Sequence, residues 1–348
     1  LIIADTFRYD CATGGFGVKG RAAEVRNLGK IRGEGASFDR AYTGSFPTVP
    51  NRHDVLTGRY TFTYSDWQPL PPEEPVLPEM LRDAGYISAM IADTPHILKD
   101  GYNYDRGFDA WQWIRGQEND RYRTDPVDVE LPCRPEKLRS VQTTVQHMRN
   151  NALRVREEDW IPAKTAMAAI DWLKGNRTNR PFFLYVDFFD PHEPWDPPRE
   201  YVDAYDADWD GDEVTYPMYG PCGYLTWGEL EHCRAMYAGE ATLVDAWIGR
   251  MLDAVGSLGL YEDTAIIFTS DHGFYLGEHG LIGKSIIMGD LYGSVPLYEE
   301  VAHIPLFVRL PDALSGGRRS AIGELAQPVD TTATILDLAG LECGKYGV

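Results

Sequence analysis

Short apolar runs alternate with segments of helical periodicity along most of this 348-residue chain, and this alternation limits the folds it can adopt. The runs are rich in β-branched and aromatic residues, as buried strands are. We predict strands at 1–4, 36–42, 86–92, 181–188, 264–270 and 304–310, and helices at 22–32, 76–84, 160–175, 229–258 and 331–340. The pattern predicts an α/β fold with a large, mostly parallel sheet sandwiched by helices.

Polar residues directly follow two of these predicted strands. Asp5 follows the first strand, and Asp271 and His272 follow the strand at 264–270. Parallel strands end at the same edge of a sheet, where α/β proteins bind ligands. Carboxylate oxygens combined with one imidazole suit a divalent transition metal. We therefore predict that Asp5, Asp271 and His272 hold one divalent ion.

The segment Thr48-Val49-Pro50-Asn51-Arg52 places a hydroxyl group two residues before a proline and four before an arginine. Pro50 suits the first turn of a helix. Thr48 then lies at the helix N-terminus, where free N–H groups favour an anion, and Arg52 can turn its guanidinium toward the same anion. The segment predicts an oxyanion site with Thr48 as nucleophile and fourth metal ligand. Taken alone, such a segment is more often a capped helix with a surface arginine.

Two further segments, 187–195 and 270–284, extend this pattern with the sequences Asp-Phe-Phe-Asp-Pro-His-Glu-Pro-Trp and Ser-Asp-His-Gly-Phe-Tyr-Leu-Gly-Glu-His-Gly-Leu-Ile-Gly-Lys. Together with 2–10 and the Thr48 segment, in this order, they resemble the sulfatase family of the alkaline phosphatase superfamily, from residue 1 to about 341. The resemblance implies one catalytic domain over 1–348 with a sulfatase-like sheet. Family members usually add a small C-terminal sheet subdomain. We expect most of it to be absent here, in a short member or a fragment.

The resemblance also implies roles for individual residues. His192 and Lys284 match positions that contact the anion and the leaving oxygen, and either suits a general acid. Lys284 adds a positive point charge to that of the planar Arg52 guanidinium. Many sulfatases carry a lysine where Asp93 stands, so we expect Asp93 and His96 to border the substrate with less positive charge than usual. A surface position is the alternative for His96.

Three departures from the family pattern bear on the chemistry. Many sulfatases use Asp-Asp early and Asp-Asn late around calcium, whereas this chain has Asp5-Thr6 and Asp271-His272. That set is closer to the phosphonate monoester hydrolase and phosphodiesterase branch, and it favours Mn or Zn over Ca or Mg. Typical members convert a cysteine or serine to formylglycine, and Thr48 stands in its place. We therefore expect Thr48 to act directly and phosphate diesters or phosphonate monoesters to be preferred over sulfate esters.

The resulting functional hypothesis is a metal-dependent ester hydrolase that forms a covalent Thr48 intermediate on a small oxyanionic ester. One alternative is a sulfuryl or phosphoryl transferase or mutase of the same superfamily, which passes the group to an alcohol other than water. Another is a catalytically silent member that only binds oxyanions. In a last alternative, the four segments only support the fold and the protein binds no metal.

The amino-acid composition excludes some classes of binding partner. A net charge of −20 argues against nucleic acid and anionic membranes, and no apolar run is long enough to span a bilayer. The five cysteines show no metal spacing and suggest reduced thiols, which together with the absence of a visible signal peptide favours the cytoplasm. The apolar first residues suggest an incomplete N-terminus, so the compartment stays open. The sequence does not indicate the oligomeric state. We expect residues 101–159 to form a polar, irregular insertion beside the substrate pocket or on the surface.

Overall fold

The structure is a computed structural model that describes residues 1–315 and 320–348, and its main feature is a central eight-stranded sheet. The strands are β1 (Ile2–Ala4), β2 (Gly17–Val18), β3 (Arg21–Ala22), β4 (Ala36–Ala41), β5 (Ile87–Ala92), β6 (Ala110–Trp113), β7 (Phe182–Phe188), β8 (Tyr219–Pro221), β9 (Ile266–Ser270), β10 (Tyr275–Leu276), β11 (Leu281–Met288), β12 (Leu291–Gly293), β13 (Leu306–Arg309) and β14 (Ser320–Ala326). The helices are α1 (Tyr9–Thr13), α2 (Arg26–Glu34), α3 (Thr48–Thr57), α4 (Leu77–Arg82), α5 (Pro95–Leu98), α6 (Val141–Asn151), α7 (Ile161–Asn176), α8 (Arg199–Asp206), α9 (Trp227–Ser257), α10 (Glu299–Ala302), α11 (Asp312–Ser315), α12 (Pro328–Leu338) and α13 (Cys343–Tyr346).

The strands of the central sheet follow the order β14-β4-β13-β9-β1-β7-β5-β6. β1 lies between β9 and β7 and runs parallel to both, with Ile2 opposite Phe268 and Val186. The predicted central, parallel position of the first strand is therefore confirmed. β13 runs antiparallel to β9 and β4, and β14, which the sequence pattern did not predict, closes the edge beside β4.

Helices cover both faces of this sheet, as predicted. Residues of α2, α7 and α9 form one apolar cluster, and residues of α3, α4 and α12 form another. α9 begins at a capping box in which Thr226 Oγ1 accepts from the Glu229 amide and the Glu229 carboxylate accepts from the Thr226 amide. It continues through Gly249, where a Cβ atom would lie 2.4 Å from Asn27 Cγ, so glycine allows α2 to approach closely.

A second, smaller sheet lies within residues 219–293. Its strands β10, β11 and β12 form an antiparallel meander, and β8 pairs with β11. The sequence pattern did not predict this sheet. It matters for the site because β11 carries Lys284.

The prediction that residues 101–159 form an irregular insertion is wrong for part of this segment. Within residues 101–159, β6 joins the central sheet as an edge strand parallel to β5. Farther along, α6 begins at Ser140, whose hydroxyl accepts a hydrogen bond from the Thr143 amide. The segment thus adds regular elements to the domain. Its side chains also reach the candidate site.

The structure also bears on membrane insertion and on the state of the cysteines. Within residues 1–315 and 320–348, no helix has both the length and the apolar character needed to cross a membrane. The five cysteines carry free thiols, and three of them are buried, as structural thiols usually are.

Candidate active site

The carboxyl ends of β1 and β9 bring together Asp5, Asp271 and His272, which we call the acid–imidazole cluster. The Ser270 hydroxyl joins the two strand ends, because it accepts from the Phe7 amide at 2.9 Å and lies 2.7 Å from its acceptor, the Ala4 carbonyl oxygen. Two ordinary neighbouring strands therefore position the cluster. This is the convergence that the strand pattern predicts.

Both strand ends turn sharply to present these side chains. After β1, Thr6 adopts a φ of 57°, which is uncommon for a β-branched residue, and its amide donates to Asp271 Oδ1 at 3.0 Å. After β9, a Cβ atom on Gly273 would lie 2.0 Å from the Glu300 carbonyl oxygen, so only glycine fits there. The turns fix the carboxylates of Asp5 and Asp271 before any ligand binds.

The cluster is buried and has the geometry of a cation site. One ligand atom from each residue lies within 4.8 Å of the others, with His272 Nε2 3.3 Å from Asp271 Oδ2 and 3.9 Å from Asp5 Oδ1. Both Asp5 oxygens are buried without a hydrogen-bond partner in the described residues. Burial and the charge of Asp271 raise the pKa of Asp5 well above its ordinary value. A divalent cation would satisfy these oxygens, so the residues present fit one.

His272 is held in the tautomer that a metal ligand needs. Its Nδ1 lies 3.0 Å from the Gly273 carbonyl oxygen, so Nδ1 carries the proton and Nε2 keeps its lone pair. Burial lowers the pKa of His272 to about 3. The ring is therefore neutral at neutral pH, and its free nitrogen faces Asp5 and Asp271.

The Arg52 guanidinium lies against carboxylates. Its Nε and Nη2 atoms donate to Asp187 Oδ2 and Oδ1 at 3.1 and 2.9 Å, and Nη1 contacts Asp271 and lies 3.2 Å from Asp5 Oδ2. Burial alone would raise the pKa of Asp271, but Arg52 reverses this and lowers it. Arg52 is thus placed to balance the charge of the acid–imidazole cluster.

Thr48 is the first residue of α3 and is almost fully buried, with 1% of its surface exposed. Its Oγ1 atom lies 3.5 Å from Lys284 Nζ, which in turn lies 3.1 Å from His272 Nε2 and 3.9 Å from Asp5 Oδ1. Burial lowers the pKa of Lys284. The hydroxyl of Thr48 therefore has an amine as its neighbour at the border of the cluster.

The sequence model of the sulfatase family matches residues 1–341. The chain belongs to the sulfatase family. An arylsulfatase of Clostridium perfringens is 27% identical over a gapped alignment of 385 positions, which covers 97% of this chain and 74% of the relative. The N-acetylglucosamine-6-O-sulfatase of Bacteroides thetaiotaomicron is 24% identical over a gapped alignment of 399 positions, which covers 93% of this chain and 64% of that protein.

A solved structure shows the same fold. The phosphonate monoester hydrolase SpPMH from Silicibacter pomeroyi superposes with a TM-score of 0.72 at 24% identity, covering 98% of this chain and 72% of the other. This chain is thus a sulfatase-family hydrolase of the alkaline phosphatase superfamily. The family generally depends on a divalent metal, and the acid–imidazole cluster is a group that suits one.

In this sulfatase-family site, His192 lies in the turn after β7. Its ring stacks on Phe189 with centroids 4.2 Å apart. Its Nδ1 lies 2.7 Å from the Glu193 carbonyl oxygen and 3.2 Å from Glu193 Oε2. Burial first, and then the charge of Lys284, hold the pKa of His192 well below its usual range. Lys284 is therefore close enough for its charge to affect His192.

The two residues predicted to border the substrate lie in different surroundings. His96 Nε2 lies 3.2 Å from Glu118 Oε2, and the ring contacts Phe189. Asp93 accepts hydrogen bonds from the Phe189 amide and the Thr165 hydroxyl, so each of its oxygens has a partner inside the protein. Its pKa is raised well above the ordinary value by burial and then by neighbouring Asp190. This placement gives no support to substrate contact by Asp93.

Residues 101–159 supply two charged groups that the sequence reasoning missed as site residues. Glu118 and Arg139 join His96, His192 and Glu193 in a buried group that we call the histidine–glutamate cluster. Arg139 Nη2 lies 3.0 Å from an oxygen of each glutamate. The arginines of this segment were visible in the sequence. Nothing in their spacing indicated which of them reaches the site.

Proposed function

We propose that this sulfatase-family protein is a metal-dependent hydrolase that cleaves a small oxyanionic ester through a covalent intermediate on Thr48. The observation that carries the proposal is the place of Thr48 Oγ1. It lies at the border of the acid–imidazole cluster and 3.5 Å from an amine whose pKa is lowered by burial. Such a neighbour assists a weak hydroxyl nucleophile.

In this proposal Asp5, Asp271 and His272 hold the ion, and Thr48 completes its surroundings. A divalent ion supplies Lewis-acid chemistry, which polarises an ester oxygen and favours the deprotonated hydroxyl. The imidazole of His272, with an unprotonated Nε2 beside the carboxylates and Lys284, supports Mn or Zn over Ca or Mg. Arg52 keeps the Asp271 carboxylate charged and also lies 3.2 Å from Asp5 Oδ2.

The first step transfers the acid group to the protein. The Thr48 oxygen forms a bond to sulfur or phosphorus while the bond from that atom to the alcohol oxygen breaks. The proton of Thr48 passes to Lys284, its neighbour at 3.5 Å, when the amine is in the neutral form that burial favours. The departing alcohol oxygen takes a proton from His192, the second acid–base group of the site.

The second step returns the enzyme to its starting state. A water oxygen forms a bond to sulfur or phosphorus, and the bond from that atom to the Thr48 oxygen breaks. The water gives a proton to His192, and Lys284 returns its proton to Thr48. The sum is one ester and one water converted to one alcohol and one acid.

For the substrate, we propose phosphate diesters or phosphonate monoesters ahead of sulfate monoesters. Two observations support this order: Thr48 replaces the residue that becomes formylglycine, and His272 supplies nitrogen in place of an oxygen ligand. The fold similarity to a phosphonate monoester hydrolase is compatible with it. Asp93 does not bear on this order, because both of its oxygens accept hydrogen bonds inside the protein.

The test combines metal analysis with a panel of matched aryl esters. The protein, stripped with a chelator and reloaded with Mn, Zn, Ca or Mg, is assayed on a sulfate, a phosphate monoester, a phosphate diester and a phosphonate monoester with one leaving group. We expect Mn or Zn to give the highest kcat/KM and one of the last two esters to be preferred. A higher value for the sulfate would refute the substrate order. Metal-independent turnover would refute the mechanism.

A further inference from the structure

The histidine–glutamate cluster is arranged symmetrically around one guanidinium. Glu118 Oε1 and Glu193 Oε1 both lie 3.0 Å from Arg139 Nη2, and each also accepts from a tyrosine hydroxyl, that of Tyr216 or Tyr219. The guanidinium lies over both tyrosine rings, 4.1 and 4.2 Å from their centroids. One oxygen of each glutamate is therefore fixed by a rigid, buried partner.

The second oxygen of each glutamate has no such partner. Glu118 Oε2 and Glu193 Oε2 are buried and make no hydrogen bond within the described residues. Each lies 3.2 Å from a histidine nitrogen, His96 Nε2 for Glu118 and His192 Nδ1 for Glu193. A buried carboxylate oxygen left in this way favours a positive charge on the imidazole that it faces.

The contacts of His192 also settle which of its nitrogens carries the proton in the neutral ring. Nδ1 faces the Glu193 carbonyl oxygen at 2.7 Å, and an oxygen can only accept, so Nδ1 donates. Among the described residues, none forms a hydrogen bond with Nε2. The nitrogen that remains free is therefore the one at the opposite end of the ring from Glu193.

We propose that Glu193, whose carboxylate is fixed by Arg139 and Tyr219, is a positioning residue: its carbonyl oxygen holds the His192 proton on Nδ1, its Oε2 atom reinforces this at 3.2 Å, and Nε2 is left as the atom that exchanges a proton with the substrate. Glu118 supports it by holding Arg139 from the other side. The inference rests on the proposed function for the step that it assigns. In that step Nε2–H gives its proton to the departing alcohol oxygen and takes one back from water.

The charges around His192 act in opposite directions, which makes the proposal testable. Burial, Lys284 and Arg139 lower the pKa of His192, whereas the charge of Glu118 and the hydrogen bond to the Glu193 carbonyl oxygen raise it, and Glu193 Oε2 lies 3.2 Å from Nδ1. An anionic ester adds further negative charge when it binds, so protonation of Nε2 becomes easier in the complex. Removal of a cation and removal of the facing carboxylate should therefore shift the titration midpoint of His192 in opposite directions.

The first experiment reads the tautomer of His192 in the full chain. Nitrogen-15 NMR of the ring nitrogens, with His192→Asn to assign the signal, is recorded on the metal-free protein at neutral pH. We expect a protonated Nδ1 and a bare Nε2. A proton on Nε2 in the neutral ring would overturn the proposal. The measurement needs no turnover, so its failure is distinct from failure of every ester in the substrate panel.

The second experiment follows the titration of His192 by the same signal. Arg139→Met removes a cation, and we expect the midpoint to rise by about one pH unit. Adding Glu193→Gln to this variant removes the facing carboxylate and should lower the midpoint again by a similar amount. Glu240→Gln is the matched control in the same background: its carboxyl is as deeply buried, on α9, and should give no reversal.

An unchanged midpoint in Arg139→Met, or equal reversal by Glu193→Gln and Glu240→Gln, would overturn the proposal. Loss of Arg139 leaves two buried carboxylates without a cation, so this variant is also checked by circular dichroism. If it does not fold, the midpoints of Glu193→Gln and Glu240→Gln in the otherwise unaltered protein decide the question, and equal midpoints would overturn the proposal.

Discussion

The acid–imidazole cluster stands on the ends of two adjacent central strands, whereas the histidine–glutamate cluster takes Glu118 and Arg139 from the loop-rich residues 101–159. In the first, neither carboxylate oxygen of Asp5 forms a hydrogen bond within the described residues, although Arg52 and Lys284 lie at ion-pair distance. In the second, Arg139 contacts both glutamates and leaves one oxygen of each facing a histidine. The first cluster lacks positive charge at its centre, as a cation site does. The second already contains its cation and has acid–base groups at its border.

The difference implies separate tasks and separate sensitivities. The acid–imidazole cluster is unsatisfied until an ion binds, so its variants should change metal affinity and turnover. The histidine–glutamate cluster is internally paired, so its variants should change proton transfer while metal binding persists. Substitutions in each of the two clusters test this division of tasks.

The largest expected effect is that of Thr48→Ala. Removal of a nucleophile typically lowers kcat by several powers of ten. Thr48 Oγ1 makes no capping bond in α3, so we expect little change in stability. Activity is measured on the preferred aryl ester and stability by denaturant unfolding. Thr57→Ala is the matched control, because Thr57 is equally buried in the same helix and its hydroxyl donates to the His53 carbonyl oxygen at 2.8 Å.

We expect Thr57→Ala to retain most activity. A Thr48→Ala protein with more than about one-tenth of the original kcat would contradict a covalent role, since even an assisting group is typically worth a hundredfold or more. Equal losses in the two variants would show that helix packing, and not the hydroxyl, is what turnover requires.

The strand pattern predicted the acid–imidazole cluster because strand order and strand polarity leave little freedom there. A residue directly after β1 and a residue directly after β9 must lie near each other once those strands pair in parallel. The local segment predicted Thr48, whereas Lys284 needed the family resemblance, because nothing local links a helix N-terminus to a strand of a second sheet. Their contact at 3.5 Å depends on tertiary packing.

The histidine–glutamate cluster could not be predicted from the sequence, and the reason is different. Glu118 has a φ of 46° and Arg139 follows an isolated bridge between Leu138 and Pro217, so their directions are set by turns with no periodicity. Asp93 shows a related difficulty. The family resemblance placed it beside the substrate, whereas its carboxylate accepts from Thr165 and from the Phe189 amide inside the protein. A strand pattern places a Cα atom well but does not set the direction of a side chain beyond the strand end.

A smaller effect is expected from Asp5→Asn, which tests the unsatisfied character of the acid–imidazole cluster. We expect metal affinity to fall more than about 100-fold, because loss of an outer partner of a ligand alone costs 10–100-fold. The metal-free variant should be at least as stable as the unaltered protein, since it loses a buried carboxylate without hydrogen bonds. Calorimetric metal titration and urea unfolding in chelator provide the two measurements.

Asp187→Asn is the contrasting control for that prediction. Asp187 is equally buried, but it accepts two hydrogen bonds from Arg52 and one each from Tyr185 and Thr94. Its neutralisation leaves a buried guanidinium underpaired, so we expect a loss of about 3 kcal/mol in the free energy of unfolding. If Asp5→Asn destabilised the metal-free protein as much, Asp5 would be a structural residue and the proposed ion site would lose its main support.

The smallest expected effect is that of Ser140→Ala, directly after Arg139. The Ser140 hydroxyl caps α6 by accepting from the Thr143 amide at 3.2 Å, and loss of such a cap costs about 1 kcal/mol. Because Arg139 is fixed by Glu118, Glu193 and stacking, we expect this loss to leave kcat and the His192 midpoint unchanged. Urea unfolding and the His192 titration give the comparison. A shifted midpoint would show that the backbone at 139–140, and not the side-chain contacts of Arg139, holds the histidine–glutamate cluster in place.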